Sequence, residues 1–182
     1  MVIMLFKFRR YKVKLNKLID EKKLDNRIEE LDYEIDKYYN GENIVAICVL
    51  NGAAFFATNL TLKMKTKMKL EFLKISSYQG KESTGIIKKY LDIDDEKVKN
   101  QNILIIEDIV DTGRSMSYLL EHLLKKNPKD IKVCSLLSKP SRREVDVKID
   151  FLGFEVPDRF IIGYGFDDEE GFFRNIPYIG YR

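Results

Sequence analysis

Cysteine and histidine are scarce in this chain: two cysteines and one histidine in 182 residues. Two cysteines cannot build a disulfide framework. Cys48 and Cys134 both fall inside apolar strand-like runs, where small buried thiols are common, so a reducing, cytoplasmic setting is expected. The lone histidine, His122, lies midway along a helical pattern and away from every loop that carries chemistry, so no catalytic role is expected for it. No apolar run approaches the length of a membrane span, and Met1 to Phe6 is too short for the apolar region of a signal peptide. No repeat, low-complexity stretch or Pro/Gly-rich linker divides the chain, whose length suits one domain with a sizeable core. Neither sign of charge dominates: 32 Lys and Arg stand against 29 Asp and Glu. The basic residues are scattered, which gives a nucleic-acid face little support. The densest basic stretch, Lys7 to Lys14, reads as a solvated N-terminal segment or edge strand.

What is present is an alternation of helical and strand periods. Leu24, Ile28, Leu31, Ile35 and Tyr38 or Tyr39 recur at spacings of three and four, with Asp20 as a cap and Asn40-Gly41 as a stop. Ile44 to Leu50 is a continuous apolar strand, and Ala54 to Met64 reads as helix. Met68, Leu70 and Phe72 alternate with charged residues as a strand would, Gly85 to Ile93 looks like its return, and the polar segment 76–84 lies between them. A strand over 103–107, a helix over 116–126, a strand from Ile131 to Ser138, and short strands near Phe151 to Phe154 and Phe160 to Gly163 complete the pattern. Strands alternating with helices imply an α/β fold: a mainly parallel twisted sheet with helices on both faces.

The chemistry concentrates in E-D-I-V-D-T-G-R-S-M, residues 107–116, directly after the apolar run Ile103 to Ile106. Four aliphatics without alternation read as a central parallel strand, and ligands of open α/β sheets bind at the carboxyl ends of such strands. Glu107 and Asp108 would sit at that end. Asp111, Thr112, Gly113, Arg114 and Ser115 then span the turn into a helix, where unpaired amides and the positive end of the helix dipole favour a phosphate. Thr112 and Ser115 add hydroxyls, Gly113 permits close approach or a positive φ, and Ser115 could cap the helix. Two adjacent carboxylates need a counter-charge, and Mg²⁺, which bridges carboxylates to substrate oxygens, is the natural one. For a single residue here, an acidic loop with a plain cap is an equally good reading. The full combination favours a ribose phosphate ligand. Asn51-Gly52-Ala53 likewise ends a strand and opens a helix, so its amides could cradle a second anion; a simple βα turn fits nearly as well.

The segment I-L-I-I-E-D-I-V-D-T-G-R-S resembles the phosphoribosyl pyrophosphate (PRPP) signature of type I phosphoribosyltransferases, and in particular that of the hypoxanthine (hypoxanthine-guanine) phosphoribosyltransferases. F-L-G-F-E-V-P-D-R-F-I-I-G-Y-G-F-D and R-N-I-P-Y-I-G, within Phe151 to Gly180, are similar to that family's purine-binding end, and the likeness covers nearly the whole chain. The resemblance implies a single domain over 1–182: a core of about 20–150, and a small hood from the N-terminal segment and about 151–182. It implies transfer of phosphoribosyl from PRPP to hypoxanthine or guanine, giving IMP or GMP and pyrophosphate, with Mg²⁺ as cofactor. A homodimer or homotetramer, with no nucleic-acid or membrane partner, is the expected state.

By the same resemblance Asp111 is the general base, and Glu107 and Asp108 bind the ribose hydroxyls and, with Asp167, metal. Asp111, Thr112, Gly113, Arg114 and Ser115 hold PRPP; Asn51, Gly52 and Arg174 hold pyrophosphate. Ile109, Lys139, Phe160, Ile161 and Asp167 bind the purine, Lys139 reading its 6-oxo group, and Ser77 with Tyr78 belong to a lid. The chain departs from the family pattern at two places. Asn51 stands where Lys is common, and D-D-E-E-G-F-F-R (167–174) is one residue longer than usual, with Asp168 in place of an aromatic. A same-fold transferase for xanthine or a pyrimidine, and a non-catalytic PRPP-sensing regulator, are the alternatives.

Overall fold

The computed structural model describes residues 15–77 and 87–182. Asp20 opens the first helix, α1 (Glu21–Tyr39), by accepting a 2.9 Å bond from the Lys23 amide, and Asn40 closes it in the left-handed region at φ 45°. Leu24, Ile28, Leu31, Ile35 and Tyr39 form its buried stripe. Of the two tyrosines the spacing allowed, Tyr39 faces the core and Tyr38 faces out.

Strands β2 (Ile44–Val49), β3 (Met68–Ser77), β5 (Asn102–Val110), β6 (Asp130–Ser138) and β7 (Phe151–Glu155) are parallel, in the order β3-β2-β5-β6-β7. β4 (Ile87–Leu91) runs antiparallel on the free side of β3. Helices α1 and α2 (Ala54–Lys63) cover one face of the sheet, over Ala46, Cys48, Leu104, Ile106, Cys134 and Leu136. The short α3 (Asp95–Val98) and α4 (Arg114–Leu124) cover the other, over Val45, Ile47, Ile103, Ile105 and Val133. Burial on both faces explains the unbroken apolar runs. A second, antiparallel sheet joins β1 (Asn16–Ile19), β9 (Ile179–Tyr181) and β8 (Ile161–Ile162) above the carboxyl edge. It is the hood.

Several boundaries differ from the sequence expectation. The strand expected over 103–107 runs from Asn102 to Val110, because β6 goes on pairing with it at Ile109↔Leu137 and Val110↔Ser138. Glu107 and Asp108 are therefore inside the strand. Phe151–Glu155 pairs with β6 and belongs to the main sheet rather than to the hood. Leu70 and Phe72 face solvent on β3, whereas Leu73 fills the core. Ser77, expected in a lid, closes β3 opposite Ile87. Tyr78, the other lid residue, and the stretch from Lys7 to Lys14 lie outside the described residues. His122 sits on α4 with Nε2 2.8 Å from Asp92, remote from the loops above.

Candidate active site

The site is built on the turn between β5 and α4. Gly113 adopts φ +87°, a conformation that strains any side chain, and an added Cβ would lie 2.2 Å from the Val145 carbonyl oxygen. That turn brings the chain straight into a helix: the Ser117 amide already bonds the Gly113 carbonyl at 2.9 Å. Among the described residues, the amides of Thr112, Gly113 and Ser115 meet no protein acceptor, so they are free to bind an anion at the helix amino end. The Thr112 carbonyl is held from behind by the Glu144 and Val145 amides at 2.9 and 3.0 Å. Arg143 lies under the same loop. One of its guanidinium nitrogens donates to Ser138 Oγ at 2.8 Å, and the other is buried without a partner, leaving positive charge beneath the turn. The Arg114 side chain points outward to Glu144, so at the turn this residue offers its backbone.

Glu107 and Asp108 face the loop after β2. A side chain at residue 52 would displace the Asp108 carboxylate, because an added Cβ would stand 1.5 Å from Asp108 Oδ2. Glu107 Oε1 accepts from the Asp108 amide at 3.2 Å, and Asp108 Oδ1 accepts from the Ile109 amide at 2.7 Å. Burial, and then the neighbouring Asp108 charge, push the Glu107 carboxyl well above the usual carboxylate range. Burial raises Asp108 too, against the hydrogen bonds it accepts and the Arg174 charge. Two such acids side by side fit a divalent cation, which would offset both penalties. Among the described residues no group of three or more His, Cys, Asp or Glu could hold a metal ion. The third expected ligand, Asp167, is instead ion-paired with Arg174. A cation here would draw its remaining ligands from substrate and water, as Mg²⁺ commonly does.

The hood supplies the opposite wall. Arg174 donates to the Gly165 carbonyl and to Asp167, and so returns to the cavity despite the longer preceding segment. The extra length is taken up by a turn capped by Asp168, whose Oδ1 accepts from the Glu170 and Phe172 amides, each at 3.0 Å. Lys139 is buried, its Nζ donating to the Arg159 carbonyl at 2.8 Å. Phe160 is half exposed over the same hollow.

These walls enclose three adjoining cavities that share Ile109. One of about 370 Å³ is lined by Asn51, Gly52, Glu107, Asp108, Asp167 and Arg174. A second, about 130 Å³, is lined by Glu107, Asp111, Thr112, Gly113, Ser115 and Arg142. The third, about 250 Å³, has Asp111, Lys139, Phe160, Ile161, Phe166 and Asp167 on its walls. The pyrophosphate, ribose-phosphate and purine residues expected from sequence thus converge, Arg114 alone among them lining no cavity. Asp111 faces both the second and the third. Sequence reasoning missed Arg142, whose Nε lies 2.8 Å from Asp111 Oδ1. Its only signal was the Arg-Arg pair shortly after Lys139. A larger hollow of about 450 Å³ lies at the amino ends of the strands, but its charges already pair, Lys129 with Glu42 at 2.6 Å and Asp130 with Tyr38 at 3.0 Å.

A turn of free amides joined to paired carboxylates at the carboxyl edge of a parallel sheet suits a sugar phosphate, and residues 16–169 match the phosphoribosyl transferase domain family. Over 166 residues the chain is 44% identical to a hypoxanthine phosphoribosyltransferase of Buchnera aphidicola, covering 90% of this chain and 93% of that protein. A hypoxanthine-guanine phosphoribosyltransferase from Bacillus anthracis superposes with a TM-score of 0.87 at 38% identity, over 93% of this chain and 99% of that one. The Trypanosoma cruzi hypoxanthine phosphoribosyltransferase, solved with its product IMP, gives 0.85 at 29% identity, over 96% of this chain and 97% of that one. The chain belongs to the hypoxanthine phosphoribosyltransferase family.

Proposed function

We propose that this protein transfers the phosphoribosyl group of PRPP to hypoxanthine, and to guanine, releasing pyrophosphate and forming IMP or GMP for purine salvage. The observation that carries the residue assignments is the meeting of the three cavities at Ile109, with Asp111 on the wall between the phosphate-sized and base-sized lobes. The amides of Thr112, Gly113 and Ser115 take the 5′-phosphate. Gly52 and Arg174 take the pyrophosphate, an arrangement that keeps backbone donors where Asn51 replaces the common lysine. Glu107 and Asp108 hold the ribose hydroxyls and, with Asp167 nearby, Mg²⁺, which would neutralise the leaving pyrophosphate. Lys139 donates to the 6-oxo group, once turned from the Arg159 carbonyl, and Phe160 stacks on the ring.

Positive charge develops on the ribose as the C1–pyrophosphate bond lengthens, so the carboxylates beneath it stabilise the transition state. Asp111 accepts the proton from purine N7 as N9 attacks C1, a step worth ~10²- to 10⁴-fold. The experiment is direct: protein, Mg²⁺ and PRPP are incubated with hypoxanthine, guanine, xanthine and uracil, and nucleotide formation is followed. Hypoxanthine and guanine should react. Asp111→Asn should bind PRPP at least as tightly as the parent yet lose at least ~100-fold in kcat; wild-type turnover in that variant would remove the general base assignment.

We place the enzyme in the cytoplasm, a reading supported by two buried free thiols; burial pushes Cys48 up to about 12, so it stays protonated and unreactive. We also expect a homodimer or homotetramer. Outward-facing Phe55, Leu62, Leu70 and Phe72 leave apolar surface of the kind assemblies cover, and sedimentation velocity tests the assembly.

A further inference from the structure

The 130 Å³ lobe is an awkward place for a phosphate dianion. Two of its lining residues, Glu107 and Asp111, are acids, and the one cationic residue lining it is Arg142. Free amides supply donors but only partial charge. Like charges in so small a hollow repel unless a full positive charge stands between them. Arg142 belongs to neither the phosphate turn nor the hood; it comes from the 3₁₀ turn Pro140–Arg142 that follows β6. Its Nε sits 2.8 Å from Asp111 Oδ1, and its Nη1 3.4 Å from Asp158 Oδ1. The side chains of Arg142 and Asp111 are 42% and 38% exposed, so solvent weakens the pair, although the Asp111 oxygen in contact is itself buried. The ligand-free protein therefore holds its only cavity-lining cation of this lobe on the carboxylate that must act as base.

We propose that Arg142 reads the 5′-phosphate by exchange: the phosphate of PRPP or IMP draws the guanidinium from Asp111 and leaves that carboxylate free to face the purine. The exchange needs no backbone movement, because Arg142 already lines the lobe. A phosphate offers two charges and three oxygens to a planar guanidinium, where Asp111 offers one charge, so phosphate wins the competition. The assignment rests on the reading above that PRPP and IMP are ligands.

The test compares IMP with inosine, which differ only by the phosphate, through calorimetric titration of the wild type and Arg142→Gln, with PRPP and hypoxanthine KM measured alongside. Arg142→Gln should weaken IMP and raise the PRPP KM about tenfold, with inosine affinity and hypoxanthine KM unchanged. Asp111→Asn removes the competing partner. It should tighten IMP several-fold in the parent, and do nothing in the Arg142→Gln background, a coupling that a merely structural arginine would not show. Equal weakening of IMP and inosine would overturn the proposal, since Arg142 would then support the base site or the fold. Unchanged IMP affinity in Arg142→Gln, or no tightening in Asp111→Asn, would overturn it too. A wild type that binds neither IMP nor PRPP would sink the substrate reading and this inference together, whereas salvage activity with an inert Arg142 would sink the inference alone.

Discussion

Glu107 shows how a residue that is unfavourable for the fold can stand where the proposed site calls for an acid. Burial and Asp108 raise its pKa in the folded protein. An acid raised in this way keeps its proton in the fold at a pH where the unfolded chain has lost it. Stability is accordingly lost as pH climbs from the ordinary carboxylate range toward the raised value, and is not lost below that range. Glu107→Gln carries no charge to desolvate. Without Mg²⁺ and PRPP it should raise the melting temperature at pH 7 by ~2–4 °C, as expected for ~1 kcal/mol in a chain of this size, with the gain vanishing near pH 4. Turnover should fall by an order of magnitude or more. Scanning calorimetry across pH decides it, and a variant no more stable than the parent at pH 7 would show that the pair is accommodated without cost. The acids themselves were legible in the sequence, because chemistry-bearing residues follow an apolar strand. Arg142 was not, since its partner Asp111 is a neighbour only through the pairing of β5 with β6.

Elements divide in the same manner. The stripe of α1, its Asp20 cap and its Asn40 stop are local signals and could be read directly. The carboxyl end of β5 was misread, because Glu107 and Asp108 look like a terminus until the ladder to β6 is known. The segment 167–174 looked irregular for a different reason: its order comes from one side chain. Asp168 caps the turn through two backbone amides, its other oxygen lies 3.4 Å from Arg182 Nη2, and the turn delivers Arg174 to Asp167. Losing such a cap costs about 1 kcal/mol. Asp168→Ala should weaken pyrophosphate inhibition by ~5- to 10-fold while hypoxanthine KM stays put. Asp168→Asn keeps an acceptor at Oδ1 and should restore most of the effect. Were the alanine variant inhibited as strongly as the parent, Arg174 would owe nothing to this turn.

At the scale of the molecule, the hood is distinct as a sheet and continuous as a core. Ile161, Tyr164, Phe166 and Ile179 belong to the same buried cluster as Leu24, Ile28 and Leu31 of α1 and Phe56 and Leu60 of α2. The proposed site depends on that continuity, because its lobes draw on both parts at once: Asp111 and Lys139 from the core share the base-sized hollow with Phe160 and Asp167. A hood that melted alone would expose this apolar surface and release Arg174 and Asp167 from the cleft, so the shared cluster should make the two parts unfold together. Ile179 is fully buried within it. Ile179→Ala leaves a cavity that only partly relaxes, and should lower stability by ~2–5 kcal/mol. The loss should appear in one urea transition, with far-UV circular dichroism and tyrosine fluorescence falling at the same midpoint. The two probes weigh the parts differently, since circular dichroism reports mainly the helices of the core, whereas tyrosine fluorescence adds Tyr164, Tyr178 and Tyr181 of the hood region to Tyr33, Tyr38, Tyr39 and Tyr118 of the core helices. An early tyrosine transition followed by a later loss of helix would mean that the hood folds as a separate unit, and that the cleft is assembled only when substrate ties the parts together.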